Sequence, residues 1–580
     1  VGLNVYENLH YSCPGHDLTE EDWRDFRAMR QLTQKHNMVF MPGMLIKGGV
    51  AADAATGVKQ NAHCAEYARR LGDTPGYLYY INGDYEVKLA KHIQDVTKRW
   101  NDWLGRRYGT AERLRAAWGT EGVDARLGSV PFPPRHSRRW NDVAAVDKPR
   151  FLTEVTRRWN QSNVDAVRKH DTVHPTTSEY QMGNPAGMDV HMTIAGQDVS
   201  NFGGFGAYTT RWFDLRARGK GVSIGEYGMR LHPAWTGEGG PGRGYSMARG
   251  EEAQKRMFLR AGHESLGQGV SKIQNWCLRD AQSRSVFPWG IFYPEELIPK
   301  DVAYCHRNQS IIFRHFTPKY VPPRLTVCIP DNMGLGNQPK LGVAVACRAF
   351  GTLFDLHYDF NVIDDHHLEQ LPAETKVLVY PAPMAVRDDV YERLRAWVKA
   401  GGTLLVTGDF SHDADRQRTR TGRLAELAGV RFLAESYADV DRPAGSDVEV
   451  TFSLGNLGKL PLRPCLRVKA ASAEVLGKTP QGEPVLVRHS PGRGGVYYLT
   501  DPIELAEGQQ ADAARRQVYG AMLRATPVRP LCVEPDDAWL HVLAQPTARG
   551  TIHVLQNLHA PGTSNEVTIP TAAGRLSLAT

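Results

Sequence analysis

Short apolar runs of strand length recur through residues 1–320, and the stretches between them carry apolar positions at helical spacing. The runs at 3–7, 38–45, 77–81, 176–180, 198–203, 222–226 and 272–277 read as strands. Between the first two, Thr19 ahead of Glu20, Glu21 and Asp22 reads as a helix start, an N-cap hydroxyl with acidic residues in the first turn. Trp23, Phe26, Met29, Arg30 and Leu32 continue that helix at roughly helical spacing, and a second helix is expected around 62–71. Strands alternating with helices make a parallel sheet, and this many units close into a barrel. A TIM barrel has eight strands, so either one strand–helix unit is expected upstream of residue 1 or one strand of the barrel escapes the pattern.

The pattern changes at FTPKYVPPR (316–324), a proline-rich joint. Beyond it, strands at 325–330, 361–365, 376–383 and 401–409 alternate with helices at 341–354 and 388–399, a doubly wound α/β unit. From about 430 the strands are β-branched and glycine-punctuated, reading as antiparallel additions that close with a helix at 511–526. The final alternating segments, WLHVLAQP, GTIHVLQNL and NEVTIP, read as a small antiparallel sheet. The expected organisation is a TIM (β/α)8-type barrel over 1–320, an α/β domain with β additions over 321–528, and a β domain over 529–580.

Composition narrows the function classes. The chain has 580 residues, 41% hydrophobic and 23% charged, with a net charge of +7 and both signs interleaved, which is a solvated surface and not a nucleic-acid stripe. No apolar run reaches membrane-spanning length. The eight cysteines are scattered without a CxxC pair, so neither a zinc ribbon nor a disulfide framework is indicated. The chain opens on Val; a cytoplasmic location is the expectation, with export left open.

The chemistry collects at strand ends. GKGVSIGEYGMR ends a buried strand on Glu226, and a charge there belongs at the open face of a barrel, where active sites are built. Upstream, YLYYINGDYE contains the strand that would be fourth, followed by Asp84 and Glu86. Two carboxylates facing each other across a barrel mouth suit glycoside hydrolysis, one protonating the leaving oxygen and the other attacking the anomeric carbon. Trp276, ending the last strand of the barrel, could stack on a sugar face. Glu7, Asn8 and His10 after the first strand, and Glu179 and Tyr180 at 176–180, are candidates for binding sugar hydroxyls. Trp212, Trp235 and Trp289 fall in loops that could wall a sugar pocket. Trp100, Trp103, Leu104 and Tyr108 read instead as helix packing.

Four stretches resemble the clan-A glycoside hydrolases, and among them the family 42 β-galactosidases. They are GYLYYINGD after CAEYARRLGDTP, KRWNDWLGRRYGTAERLRAAWGT (98–120), PFPP (131–134) before WNDVAAVDKPRFL (140–152), and SIGEYG. The resemblance implies Glu226 as nucleophile, no metal or organic cofactor, a flavodoxin- or amidotransferase-like domain serving trimer formation, and a glycoside as partner. It also implies a homo-oligomer, trimer or dimer.

This chain departs from the family's Asn-Glu pair, reading Ile81-Asn82-Gly83-Asp84-Tyr85-Glu86. Asp84 is the expected acid/base if Gly83-Asp84 takes the two positions. Asn82 could instead take the Asn role, with Glu86 reaching in or with no acid at all. The α/β domain carries no nucleophilic Cys at Tyr380-Pro381-Ala382-Pro383-Met384, and GLGNQPK (334–340) lacks a phosphate-loop ending. The expected function is a retaining exo-glycosidase on terminal β-galactosides or a related sugar such as an arabinoside, fucoside or uronide. The alternative from another class is an impaired carbohydrate-binding or scaffold protein.

Overall fold

The computed structural model describes the chain outside residues 1–3, 9–17, 46–48, 52, 74, 84–92, 120–123, 181–189, 195, 204–205, 232–244, 249, 281–288, 295–296, 440–441, 444–446, 533–536, 559–565, 572–573 and 580. Asp84, Glu86, His10 and Trp235 therefore lie outside the described residues.

The strands of the first 320 residues are β1 (Val5–Asn8), β2 (Val39–Pro42), β3 (Tyr79–Asn82), β4 (Thr176–Tyr180), β5 (Val199–Gly203), β6 (Gly221–Leu231), β7 (Tyr245–Ala248) and β8 (Lys272–Asn275). β1 pairs with β2, and β3, β4, β5, β6 and β8 follow in order, all parallel. Parallel bridges Phe40↔Tyr77 and Gly43↔Tyr80 join β2 to β3. The seven expected strands are thus the wall of a TIM-type barrel. β7, which the hydrophobic pattern did not announce, extends the outer half of β6 through Gly228–Leu231.

Helices pack outside this wall. In Glu20–Lys35, Thr19 and Asp22 form a reciprocal capping box, each accepting from the other's backbone N–H. That helix buries Trp23, Phe26, Arg30 and Thr33; Leu32, expected on the same face, is 58% exposed. Trp100, Trp103, Leu104 and Tyr108 are buried on helix Ile93–Tyr108, where the Trp100 and Trp103 rings stack at 5.4 Å. The 98–120 stretch breaks into two helices at Gly109, whose φ of 73° suits a residue without Cβ, and Thr110 caps the second.

The second domain is a nine-stranded sheet. Asn361–Asp364, Leu325–Ile329, Val377–Tyr380, Thr403–Thr407 and Gly495–Leu499 run parallel in that spatial order. Antiparallel strands from Pro484–His489 outward extend it, as the β-branched stretch suggested. Hairpins Leu540–Thr547/Gly550–Asn557 and Glu566–Thr571/Gly574–Ala579 make the C-terminal β region. Gln556 bonds Glu264 on the barrel helix Glu251–Gly267 at 2.9 Å.

Barrel and α/β domain are joined by buried polar groups. Asp147, fully buried, accepts from Trp118 Nε1 (2.9 Å), Arg150 Nη1 (3.0 Å) and the Tyr108 hydroxyl, and Arg107 Nε stands 3.2 Å away. Arg107 and Arg150 also pair with Asp415 of the α/β domain. His191 Nδ1 meets Asp331 at 2.8 Å, and Arg218 meets Asp364 at 3.3 Å. No helix among the described residues is long and apolar enough to cross a membrane.

Candidate functional site

The barrel interior is layered from apolar to polar. Val5, Val39, Met41, Leu78, Tyr80 and Val199 pack together. Above them, groups from β1, β3, β4, β6 and β8 gather titratable chemistry: Glu7, Tyr80, Glu179, Glu226 and Lys272.

Glu226 owes its position to a bulge. On β5 and β6, Phe202 pairs with Ile224 but Gly203 pairs with Glu226, so β6 holds one extra residue there. The shift recurs on the other side, where Ile224 pairs with Ile273 and Tyr227 with Asn275. A bulge re-aims the side chains that follow it. Tyr227 is turned to the outside, its hydroxyl donating to the Phe258 carbonyl (2.8 Å), while Glu226 is half-buried in the middle of β6, which runs on to Leu231 and does not end at Glu226 as expected. Its charge reaches the mouth: together with burial it raises the Cys277 thiol to about 12, and it adds to the rise at Glu7 and Tyr80.

Gly225, just before Glu226, leaves room for a neighbour. A Cβ there would stand 2.3 Å from Asn201 Nδ2. Asn201 is fully buried on β5 and its Oδ1 accepts from Ser223 Oγ at 2.6 Å.

A second bulge sits on β3. Tyr80 pairs with Thr177 and Asn82 with Ser178, one extra residue on β3. Asn82 sits at this shift. It is fully buried, and its amide donates to Asn160 Oδ1 (2.8 Å) on helix Val143–Arg168. What faces the mouth is Tyr80, whose hydroxyl donates to Glu179 Oε2 at 2.7 Å. Tyr80 carries no hydrophobic-pattern signal of a site, because a strand tyrosine reads as core.

Burial pushes the Glu7 carboxyl up to about 7, Lys272 and a hydrogen bond from Gln274 pull it back, and Glu226 adds to the rise. Burial lowers the Lys272 ammonium, against Glu7 and Glu179; its Nζ donates to Gln274 Oε1 at 2.8 Å. Burial and the carboxylates Glu179, Glu7 and Glu226 hold the Tyr80 phenol well above its ordinary value, so it stays a donor.

Trp276 is half-buried just after β8, its backbone N–H donating to the Tyr227 carbonyl at 2.7 Å. Trp289 lies beside it, under the Arg230 guanidinium at 5.0 Å. Trp212 is not a wall of this mouth: it is buried against His191 at 5.0 Å between ring centres. Asn8 ends β1 opposite Pro42, and Tyr180 ends β4 opposite Phe202.

One group among the described residues has acid and imidazole ligand atoms within 4.8 Å of one another, Asp331, Asp365 and His366 of the α/β domain. Each of the three residues has a protein partner. Asp331 takes the His191 imidazole, Asp365 accepts from Tyr380 (2.9 Å), and His366 contacts Arg387. A guanidinium in the cluster opposes a cation.

Two family models match the chain. One, described as beta-galactosidase, covers residues 59–285; the other, described as beta-galactosidase trimerisation domain, covers 350–528. Among solved structures, the β-galactosidase from Bacillus circulans sp. alkalophilus is 15% identical, covers 100% of this chain and 93% of its own, and superposes with a TM-score of 0.76. The cold-adapted β-galactosidase from Rahnella sp. R3 is 16% identical, with 99% and 92% covered and a TM-score of 0.76. At such identities the likeness is one of fold. The β-galactosidase YesZ of Bacillus subtilis (strain 168) is 38% identical over 56 residues, 9% of this chain and 8% of that protein's length.

Proposed function

This chain belongs to the family 42 glycoside hydrolases, and we propose that it is a retaining exo-glycosidase acting on terminal β-galactosides. The observation that supports the reading is Glu226, beside the β6 bulge inside the stretch matched by the family model and within electrostatic reach of Glu7, Tyr80 and Cys277. In the first half-reaction the Glu226 carboxylate attacks the anomeric carbon while the general acid protonates the departing oxygen. In the second, the same acid, now a base, activates water to release the sugar. Asp84 is the proposed acid/base, with Glu86 the alternative two residues on. Glu179, Glu7 and Trp276 would hold the terminal sugar, the carboxyl groups through its hydroxyls and the indole through its apolar face. No metal or organic cofactor enters this chemistry. The trimerisation-domain match at 350–528 supports a homo-oligomer, a trimer first.

Aryl β-glycosides of galactose, glucose, fucose, arabinose and glucuronic acid test the proposal, with Glu226→Gln, Asp84→Asn and Glu86→Gln beside the wild type. Cleavage of the galactoside, with Glu226→Gln and Asp84→Asn each losing about a thousandfold or more, is the expected result. Preference for another glycoside would keep the machinery and change the sugar. Activity surviving Asp84→Asn but not Glu86→Gln would move the acid/base role. Sugar binding without any cleavage would favour the scaffold alternative.

A further inference from the structure

Position 83 lacks a side chain, and something else occupies its volume. A Cβ built on Gly83 would lie 2.1 Å from the Tyr80 hydroxyl oxygen, 2.6 Å from the ring carbon that bears it and 3.2 Å from the next. No alanine fits there unless the phenol moves by more than 1 Å. The ring is held on the other side by the barrel core, with Met41 and Leu78 in the same cluster. Tyr80 is 2% exposed, so its room to swing is small.

The phenol's one hydrogen goes to Glu179 Oε2 at 2.7 Å. That bond crosses from β3 to β4 and fixes a carboxylate that is itself 7% exposed. Lys272 from β8 adds its charge to Glu179 from across the barrel. A carboxylate oriented by a donor on one oxygen offers its remaining lone pairs in a set direction. The group that suits them is a hydroxyl donating its hydrogen.

We propose that Tyr80, seated in the space left by Gly83, is a positioning residue that fixes Glu179 to accept a hydrogen bond from one hydroxyl of the terminal sugar. The inference rests on the glycosidase reading for the identity of the ligand, and on the Tyr80–Gly83–Glu179 geometry for the rest. It makes the glycine at 83 a requirement of the site, since any side chain there evicts the phenol.

The test is a set of variants in the full-length protein: Tyr80→Phe, Gly83→Ala, Glu179→Gln and Tyr80→Phe/Glu179→Gln. Calorimetric binding of free galactose and its four monodeoxy analogues is measured for each, with melting temperature and aryl-galactoside kinetics alongside. Tyr80→Phe is expected to weaken galactose binding about tenfold, the value of one lost hydrogen bond. KM should rise more than kcat falls. Gly83→Ala should reproduce the effect, and Tyr80→Phe should cost nothing further once Glu179 is Gln. The loss should vanish for one deoxy analogue and persist for the other three.

Equal losses on all analogues, or full additivity with Glu179→Gln, would overturn the proposal and leave Tyr80 a packing residue. Should Tyr80→Phe fail to fold, Gly83→Ala carries the same comparison. Hydrolysis and binding separate the two claims. A wild type that binds galactose but cleaves nothing sinks the glycosidase reading alone, while the binding cycle still decides the role of Tyr80. A wild type that binds none of the sugars overturns the role as well.

Discussion

Replacing Gly225 with alanine disturbs the proposed nucleophile without touching it. The added methyl would meet Asn201 Nδ2 at 2.3 Å, Cγ at 2.9 Å and Oδ1 at 3.0 Å. Ordinary contact needs about 3.5 Å, so either the amide or the β6 backbone must yield by about 1 Å. The amide is poorly placed to do so, being fully buried and bonded to Ser223 Oγ at 2.6 Å. Overpacking of this kind costs about 1–3 kcal/mol, and breaking the Ser223 bond would add about 1 kcal/mol. If the backbone yields instead, Glu226 moves with it, and a misplacement of about 1 Å costs roughly a hundredfold in rate. Thermal unfolding and hydrolysis of the preferred aryl glycoside read the two routes separately. The expected result is a melting temperature lower by about 1–1.5 °C per kcal/mol lost, since the unfolding entropy grows with the size of the unit that unfolds, with kcat falling more than KM changes. A melting temperature within about 1 °C of wild type and a rate within about threefold would refute the steric argument and the role given to the bulge.

Glu7→Gln should flatten the dependence of stability on pH. The folded chain holds the Glu7 proton up to about 7 against an ordinary 4.5, so it binds more protons than the unfolded chain between those values. Stability therefore falls as pH rises through that window. Asp501, also raised to about 7 by burial, contributes the same sign and remains in the variant. Urea unfolding from pH 4.5 to 7 should show a shallower fall for Glu7→Gln; an unchanged slope would contradict the assignment. Asp147→Asn should cost about 3–5 kcal/mol, because Arg107 and Arg150 lose a fully buried partner. A loss below about 1 kcal/mol in denaturant titration would show that Asp415 alone suffices for both guanidinium groups.

The barrel's parallel strands were legible because each is a short apolar run with a helix behind it, a pattern that buried packing enforces. Thr19 marked its helix start for an equally local reason, a hydroxyl three residues ahead of an acidic partner. Glu226 was proposed from a charge thought to close an apolar strand, but β6 continues to Leu231, and the bulge beside Glu226 left no mark in the sequence. The bulge at Asn82 was not legible: one extra residue turns a strand's faces over, and hydrophobic periodicity does not record it. Trp212 failed because nothing local told a pocket wall from a core ring packed on His191. The Tyr80–Glu179 bond joins residues 99 apart, and the Glu7–Lys272 coupling joins the two ends of the barrel, so neither leaves a local trace.

Trapping the covalent intermediate tests the central claim most directly. The wild-type protein is incubated with an activated 2-deoxy-2-fluoro β-glycoside of the sugar it cleaves, then measured as intact mass and mapped by peptide fragmentation. The account expects one added sugar per chain, carried by the peptide containing Glu226 and absent from Glu226→Gln. A sugar attached to any other carboxylate, or turnover of the parent glycoside with no adduct and inversion at the anomeric carbon, would contradict it.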